Sequence, residues 1–266
     1  MLDPDKFGTL TGGQRIWAVA AVHGEHDRLA ALHRGLADRI AVRDRVVYLG
    51  NYLGLGPDIL GTIDEIIAFR RELLSVPGMM PEDVVFLRGA QEEMWQKLLQ
   101  LQLAMDPTNV LTWMVSRGVE PTIQAYGGVV NDGLAAARGG TVTLTRWTGG
   151  LRDTMYGHPG HRELMNNLKR ACVTSDGALL FVHAGLDPER PLETQRDAFW
   201  WNPGGFAALS QPYGSFRLVV RGFDPDHAGV VVGDHTATLD GGCGNGGALV
   251  AYCFDSEGRV VDRIDA

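Results

Sequence analysis

The sequence predicts an α/β fold. Two observations carry this. Short β-branched runs alternate with segments whose apolar residues recur at helical spacing, and the early runs each close on a glycine-containing loop. Residues 16–22 are the first run, ending at His23-Gly24, after which Leu29, Leu32, Leu36 and Ile40 mark a helix. Residues 45–49 are the second run, ending at Gly50-Asn51, and Ile59, Ile63, Ile66, Ile67, Leu73 and Leu74 mark the next helix. The third run, 84–87, ends at Arg88-Gly89 ahead of a helix over 94–103. Residues from about 105 to 177 hold helical pieces around Trp113 and 164–168, with glycine pairs at 127–128, 139–140 and 149–150. They read as a helical cap or insertion carrying a short ribbon at 141–146. The core resumes at 179–182, which ends at His183-Ala184-Gly185, and 229–232, 248–254 and 259–264 complete it as strands. No linker, repeat or low-complexity tract divides the chain, so one domain over 1–266 is expected.

Composition narrows the function. With 45 % apolar and 21 % charged residues the chain is not disordered, and 266 residues bury a core without disulfides. Its three cysteines, Cys172, Cys243 and Cys253, form no Cys-x-x-Cys pair, their odd count argues against a disulfide framework, and Cys243 and Cys253 are expected as buried, inert core residues. A net charge of −8 with no basic run argues against nucleic acid. No stretch approaches the roughly 20 apolar residues of a membrane helix, and the opening Met1 to Asp5 has no leader pattern. A cytoplasmic protein with neither nucleic acid nor membrane as partner is expected.

In open α/β sheets, function gathers in loops beyond the carboxyl ends of strands. Those loops hold His23, the 50–58 segment, Arg88 to Glu92, His183 to Leu186, and Asp234-His235-Thr236. Their order and spacing resemble the metallophosphoesterases, specifically the phosphoprotein-phosphatase branch, with its bacterial serine/threonine phosphatases and symmetrical diadenosine tetraphosphate hydrolases. The resemblance runs from about Arg15 to Ile264 and includes Asp44-Arg-Val-Val-Tyr-Leu-Gly50, Val85-Phe-Leu-Arg-Gly89, Glu92-Glu93-Met94, Phe181-Val-His-Ala-Gly-Leu186 and Pro191-Leu-Glu-Thr-Gln195. It implies a calcineurin-like, four-layer α/β/β/α sandwich of two mixed sheets with a helical insertion, and a two-metal site at the sheet ends.

The departures from that pattern are specific. The family motif Gly-Asp-x-His-Gly retains only His23, with Ala21 in place of the Asp. In Gly-Asp-x-x-Asp-Arg-Gly the metal-bridging Asp is Asn51, the second Asp is Gly54 and the phosphate-binding Arg is Leu55. In Gly-Asn-His-Glu the ligand Asn is Ala90 and the general-acid His is Gln91, which leaves Glu92 alone. His183 is kept, the closing His-Gly-His-Thr is matched to Gly233-Asp234-His235-Thr236, and a further family Arg falls at Asn202. The resemblance thus leaves His23, Asn51, His183 and His235 as remnant ligands, with Asp234 as an added candidate. Asn51 offers a neutral oxygen, a poor bridge between two hard cations. Without the metals, water keeps a pKa near its bulk value. Gln91 cannot protonate a leaving alkoxide, and Leu55 and Asn202 remove the bidentate phosphate clamp. No catalytic set is intact. The leading expectation is a pseudophosphatase that binds a protein partner or a phosphate-containing ligand in the former cleft, with no cofactor beyond one weakly held zinc, nickel or manganese ion. The alternative is an active phosphoesterase with a rebuilt mononuclear site on His23, His183 and His235 with Asp234 or Glu92.

Overall fold

The computed structural model describes residues 2–12 and 14–266; Met1 of the opening stretch and Gly13 lie outside the described residues. Eleven strands are present among the described residues: β1 (Phe7–Leu10), β2 (Ile16–Val19), β3 (Arg45–Tyr48), β4 (Val84–Phe86), β5 (Ala171–Thr174), β6 (Leu179–Val182), β7 (Leu218–Arg221), β8 (Val231–Val232), β9 (Thr236–Thr238), β10 (Val250–Phe254) and β11 (Val260–Asp265). They form a six-stranded sheet, ordered β1-β5-β6-β7-β9-β8, and a five-stranded sheet, ordered β11-β10-β2-β3-β4. Both are mixed. β2, β3 and β4 run parallel while β10 and β11 join antiparallel; β6, β7 and β9 run parallel while β5 and β8 oppose them.

Alternation of side chains along each strand builds the layers. From β2, Ile16 and Ala18 enter the core between the sheets, with Val47, Leu49, Phe181, Val220 and Phe254. Trp17 and Val19, between them in sequence, enter the opposite core. There the five-stranded sheet packs on α1 (His26–Ala37), α2 (Ile59–Ser75) and α3 (Ala90–Leu98). The outer face of the six-stranded sheet carries a third core, where Leu180, Val182 and Val219 meet Phe199 and Trp200 of α9 (Ala198–Trp201) and Phe206 of α10 (Pro203–Ala207). The result is the α/β/β/α order, and burial on both faces is why β2, β3, β4, β6 and β10 read as largely apolar runs. All three cysteines are free and buried.

The cap consists of α4 (Pro107–Ser116), α5 (Glu120–Ala125), α6 (Val130–Arg138), α7 (Thr141–Gly157) and α8 (His161–Asn166). Two expectations are corrected here. The cap ends before Ala171, because residues 171–174 are β5, a core strand between β1 and β6. The ribbon expected at 141–146 is the start of α7, whose Leu144, Thr148, Leu151 and Met155 are buried along one helical stripe. The glycine pair at 149–150 lies inside this helix, where a β-carbon would meet nothing within 4 Å. Tertiary packing on the opposite face overrides the local glycine penalty of about 1 kcal/mol each. No helix among the described residues is long and apolar enough to cross a membrane.

Candidate active-site cleft

The loops after β2, β3, β4, β6 and β7 meet at one end of the two sheets. The N–H groups of Val22 and His23 both donate to the carbonyl oxygen of Asn51, and Ala21 N–H donates to that of Gly222. Gly50, at φ 92°, is needed at this crossing: a β-carbon there would strike Gly89 and the His183 ring. The structure therefore brings His23, Asn51, Gln91, Glu92 and His183 together.

Each of these side chains has a defined task. His183 Nδ1 donates to the Leu49 carbonyl oxygen at 2.7 Å, leaving Nε2 as a buried lone pair without a partner. Asn51 Oδ1 accepts from Gln91 N–H at 2.9 Å, which orients its amide so that Nδ2 donates to His23 Nε2 at 3.3 Å. The lone pair of His23 is thereby occupied, and its Nδ1–H is buried without an acceptor. Burial holds both imidazoles neutral. It drives His23 down to about 3, with smaller contributions from His183 and His227, and His183 down to about 4.

Glu92 is buried and accepts four backbone N–H groups, from Gly89, Asn51, Tyr52 and Leu53, at 2.8–3.0 Å. It closes the N-terminus of α3 and staples the 51–53 loop to it. Burial raises its carboxyl above the ordinary value, and the four donors pull against that rise. Gln91 Nε2 donates to the Arg117 carbonyl oxygen at 2.7 Å, tying α3 to the end of α4. Leu55 N–H donates to the Gly118 carbonyl oxygen, and Gly54 N–H to Thr122 Oγ1. The cap thus sits directly on the degenerate positions. Asn202 caps α10 by accepting from Gly205 N–H at 3.0 Å and also donates to the Leu186 carbonyl oxygen, a purely architectural role.

His235 and Asp234 are not part of this cluster, which corrects the reading of the closing motif. β9 is parallel to β7, with Thr236 opposite Val219, so His235 precedes the amino end of β9 while His183 follows the carboxyl end of β6. The His235 carbonyl oxygen accepts from Val219 N–H, and exposed Asp234 lines a surface groove with Arg217, Glu257 and Arg259 at the far end of the sheet. Strand parallelism forces this, because a residue before a strand and one after its parallel neighbour lie at opposite edges.

The residue that follows the carboxyl end of β7 is Phe223. Its ring stacks on His183 at 5.3 Å between centroids, tilted by 5°, and meets His23 edge-on at 5.5 Å. An apolar ring therefore stands beside both imidazoles. The signal was present in the sequence as the run 218–221 ending at Gly222-Phe223, the same run-then-glycine pattern as at the other loops. Beside Phe223, His227 Nδ1 donates to buried Asp240, whose other acceptor sites take the N–H groups of Asp224 and Gly242, while Asn245 Nδ2 donates to His227 Nε2. Among the described residues, five non-glycine residues have positive φ, and four of them line this cleft: His23, Asn51, Leu55 and His227. Such conformations cost on the order of 1–3 kcal/mol each.

These residues do not fit a two-metal centre. Ala21 and Asn51 supply no carboxylate, the His23 lone pair is taken, and Phe223 offers no donor. Among the described residues, no three His, Cys, Asp or Glu side chains are gathered in a metal-binding cluster.

No family model matches the sequence, and no curated protein does. Solved structures do match. A candidate diadenosine tetraphosphatase superposes with a TM-score of 0.55 at 19 % identity, covering 98 % of this chain and 98 % of that one. A protein serine/threonine phosphatase from Saccharomyces cerevisiae gives 0.52 at 13 % identity, covering 98 % and 82 %. A cold-active protein-tyrosine phosphatase of a psychrophilic Shewanella gives 0.50 at 15 % identity, covering 100 % and 83 %. At these identities the likeness is one of fold. Two mixed sheets, helices on both outer faces and these neighbours together give the chain the calcineurin-like metallophosphoesterase fold.

Proposed function

We propose that this chain is a pseudophosphatase: a cytoplasmic protein that keeps the phosphatase scaffold and uses the former cleft to bind rather than to hydrolyse. The observation that carries the reading is the Phe223 ring packed on His183 and His23. It is supported by the Asn51 amide on His23 Nε2 and by Gln91, whose amide holds the cap instead of facing a leaving group. Strain retained at His23, Asn51, Leu55 and His227 argues that the cleft is still used, since a discarded loop has no reason to store it.

The test is turnover of p-nitrophenyl phosphate, a phosphopeptide and diadenosine tetraphosphate in manganese, paired with elemental analysis. Negligible hydrolysis and no stoichiometric metal pair are expected. The reversion set Ala21→Asp, Asn51→Asp, Ala90→Asn, Gln91→His and Leu55→Arg is expected to stay inactive until Phe223→His is added, because the ring leaves a ligand position without a donor. Robust wild-type turnover that is lost in a Gln91→Ala, His183→Ala variant would overturn the proposal. A second reading, a phosphoesterase with one metal ion, draws on the unpartnered Nε2 of His183. One tightly held ion per chain in the purified protein, with turnover that follows its removal and return, would select it.

A further inference from the structure

The two sheets end in four edge strands, β1, β8, β4 and β11. Three of them have outward backbone groups engaged. At β11 the Arg263 N–H donates to Asp262 Oδ1, and its carbonyl oxygen accepts from the Arg39 guanidinium. At β4 the Phe86 carbonyl oxygen accepts from Lys169 N–H, and at β1 the Phe7 N–H donates to the Asp3 carbonyl oxygen.

β8 is the open edge. Gly233 N–H donates to the Thr236 carbonyl oxygen, with Val232 opposite Ala237 and Val231 opposite Thr238. Along an antiparallel ladder the backbone groups of successive residues point to alternate sides. Gly233 and Val231 therefore turn theirs toward β9, and Val232 turns its N–H and C=O outward. Val231 is 59 % exposed and Val232 44 %. No charge and no proline stands between Ala228 and Gly233 to blunt the edge.

The segment reads Gly229-Val230-Val231-Val232-Gly233, the same in both directions. A twofold contact needs a surface that complements itself. Antiparallel pairing centred on Val231 sets Val231 on Val231, Val230 on Val232 and Gly229 on Gly233. Val232, whose amide faces outward, then exchanges hydrogen bonds with Val230, and Val231 falls at a pair without them, as alternation demands. A shift of one residue would set outward amides against engaged ones. Centring on Val232 would keep the amides in step but set Val230 on Asp234 and lose the apolar match. The adjoining groove holds Arg217, Arg259 and Arg263 with Asp234 and Glu257, so the net charge of −8 is not concentrated at this edge.

We infer that β8 is a self-association edge, through which two copies of this chain pair over residues 229–233 and join their six-stranded sheets into one. Antiparallel pairing turns the two clefts toward opposite ends of the joined sheet. The contact is small, below the roughly 1,200 Å² of standard interfaces, so a reversible dimer with a dissociation constant on the order of 100 µM is expected.

The test is sedimentation velocity on the intact protein up to about 400 µM, four times that constant, together with cysteine cross-linking. Wild-type protein is expected to shift from monomer to dimer with concentration. Val231→Lys sets two like charges face to face and is expected to weaken the dimer about tenfold or more. In Val231→Cys the two β-carbons lie about 5 Å apart across the twofold, so copper phenanthroline is expected to give a covalent dimer. Val232→Cys, two residues out of register, is expected to cross-link far more slowly, and the wild type, with its three cysteines buried, not at all. Both valines are exposed, and near-ultraviolet circular dichroism checks that the variants keep the fold. A monomer at the highest concentration, as expected if the edge serves a foreign strand, would overturn the inference. So would a dimer that Val231→Lys leaves unchanged, or cross-linking as fast through Val232→Cys as through Val231→Cys. Phosphatase turnover has no bearing on these readouts, so the dimer and the pseudophosphatase reading stand or fall separately.

Discussion

Replacing Glu92 by alanine is expected to cost about 5 kcal/mol, at least a third of the stability of an ordinary domain. The side chain is buried and its two oxygens accept four backbone N–H groups. A buried donor stripped of its acceptor costs about 1–3 kcal/mol, and the four here share one site, so the sum falls below simple addition. Against domain stabilities of about 5–15 kcal/mol, such a loss takes from a third to all of the margin. Glu92→Gln keeps the shape but turns an amide NH2 toward two of the donors, and a loss of about 3 kcal/mol is expected. Urea unfolding of the glutamine variant decides the matter: a cost below about 1 kcal/mol would mean that the staple contributes little. The same argument explains why this carboxylate persists in a cleft that has lost its others. Its work is done on the loop that carries Asn51, Tyr52 and Leu53, and that work is needed whether or not anything is hydrolysed.

How far the sequence disclosed this protein depends on what each residue answers to. β2 and β3 of the five-stranded sheet were legible because both of their faces are buried, so Ile16 to Val19 and Val46 to Tyr48 show as unbroken apolar runs. β1 and β5 were missed because they are short and hold residues that read equally well as coil, such as Gly8, Thr9 and Cys172; only pairing with each other and with β6 makes them strands. The meeting of His23, Asn51, Gln91, Glu92 and His183 is legible because each follows a run or opens the helix after one. His235 failed because a histidine near a strand says nothing about which end of the strand it occupies. Phe223 carries no donor atom, so its residue type does not mark it as part of a site, yet its ring packs on both cleft histidines. The contacts of Leu55 with Gly118 and of Trp113 with Trp201 are not legible in the sequence, because each spans cap and body.

Stability is expected to fall by about 4 kcal/mol between pH 7.5 and pH 5, with His23 and His183 as the chief cause. Both are buried and neutral, with values near 3 and 4 against an ordinary value of 6.5. Below 6.5 the unfolded chain takes up a proton at each histidine while the folded chain does not, so their contribution is fully present above pH 6.5 and is lost as the pH falls toward 4 and then 3. From 6.5 down to 5 each loses about 2 kcal/mol, at about 1.4 kcal/mol per pH unit. His33 and His161 are lowered as well, burial being the main cause in each, and they act in the same sense. Glu92 acts in the opposite sense: its raised carboxyl binds a proton more readily when folded, which favours the folded state as acid is added. That is one group against four histidines. Urea midpoints at the two pH values test the size of the effect, and the histidine Cε1–H resonances test its origin. Two of those signals are expected to stay at their neutral positions down to pH 5. A flat midpoint, or His23 and His183 titrating near 6.5, would mean that solvent reaches the cleft and that Phe223 does not seal the histidines from water.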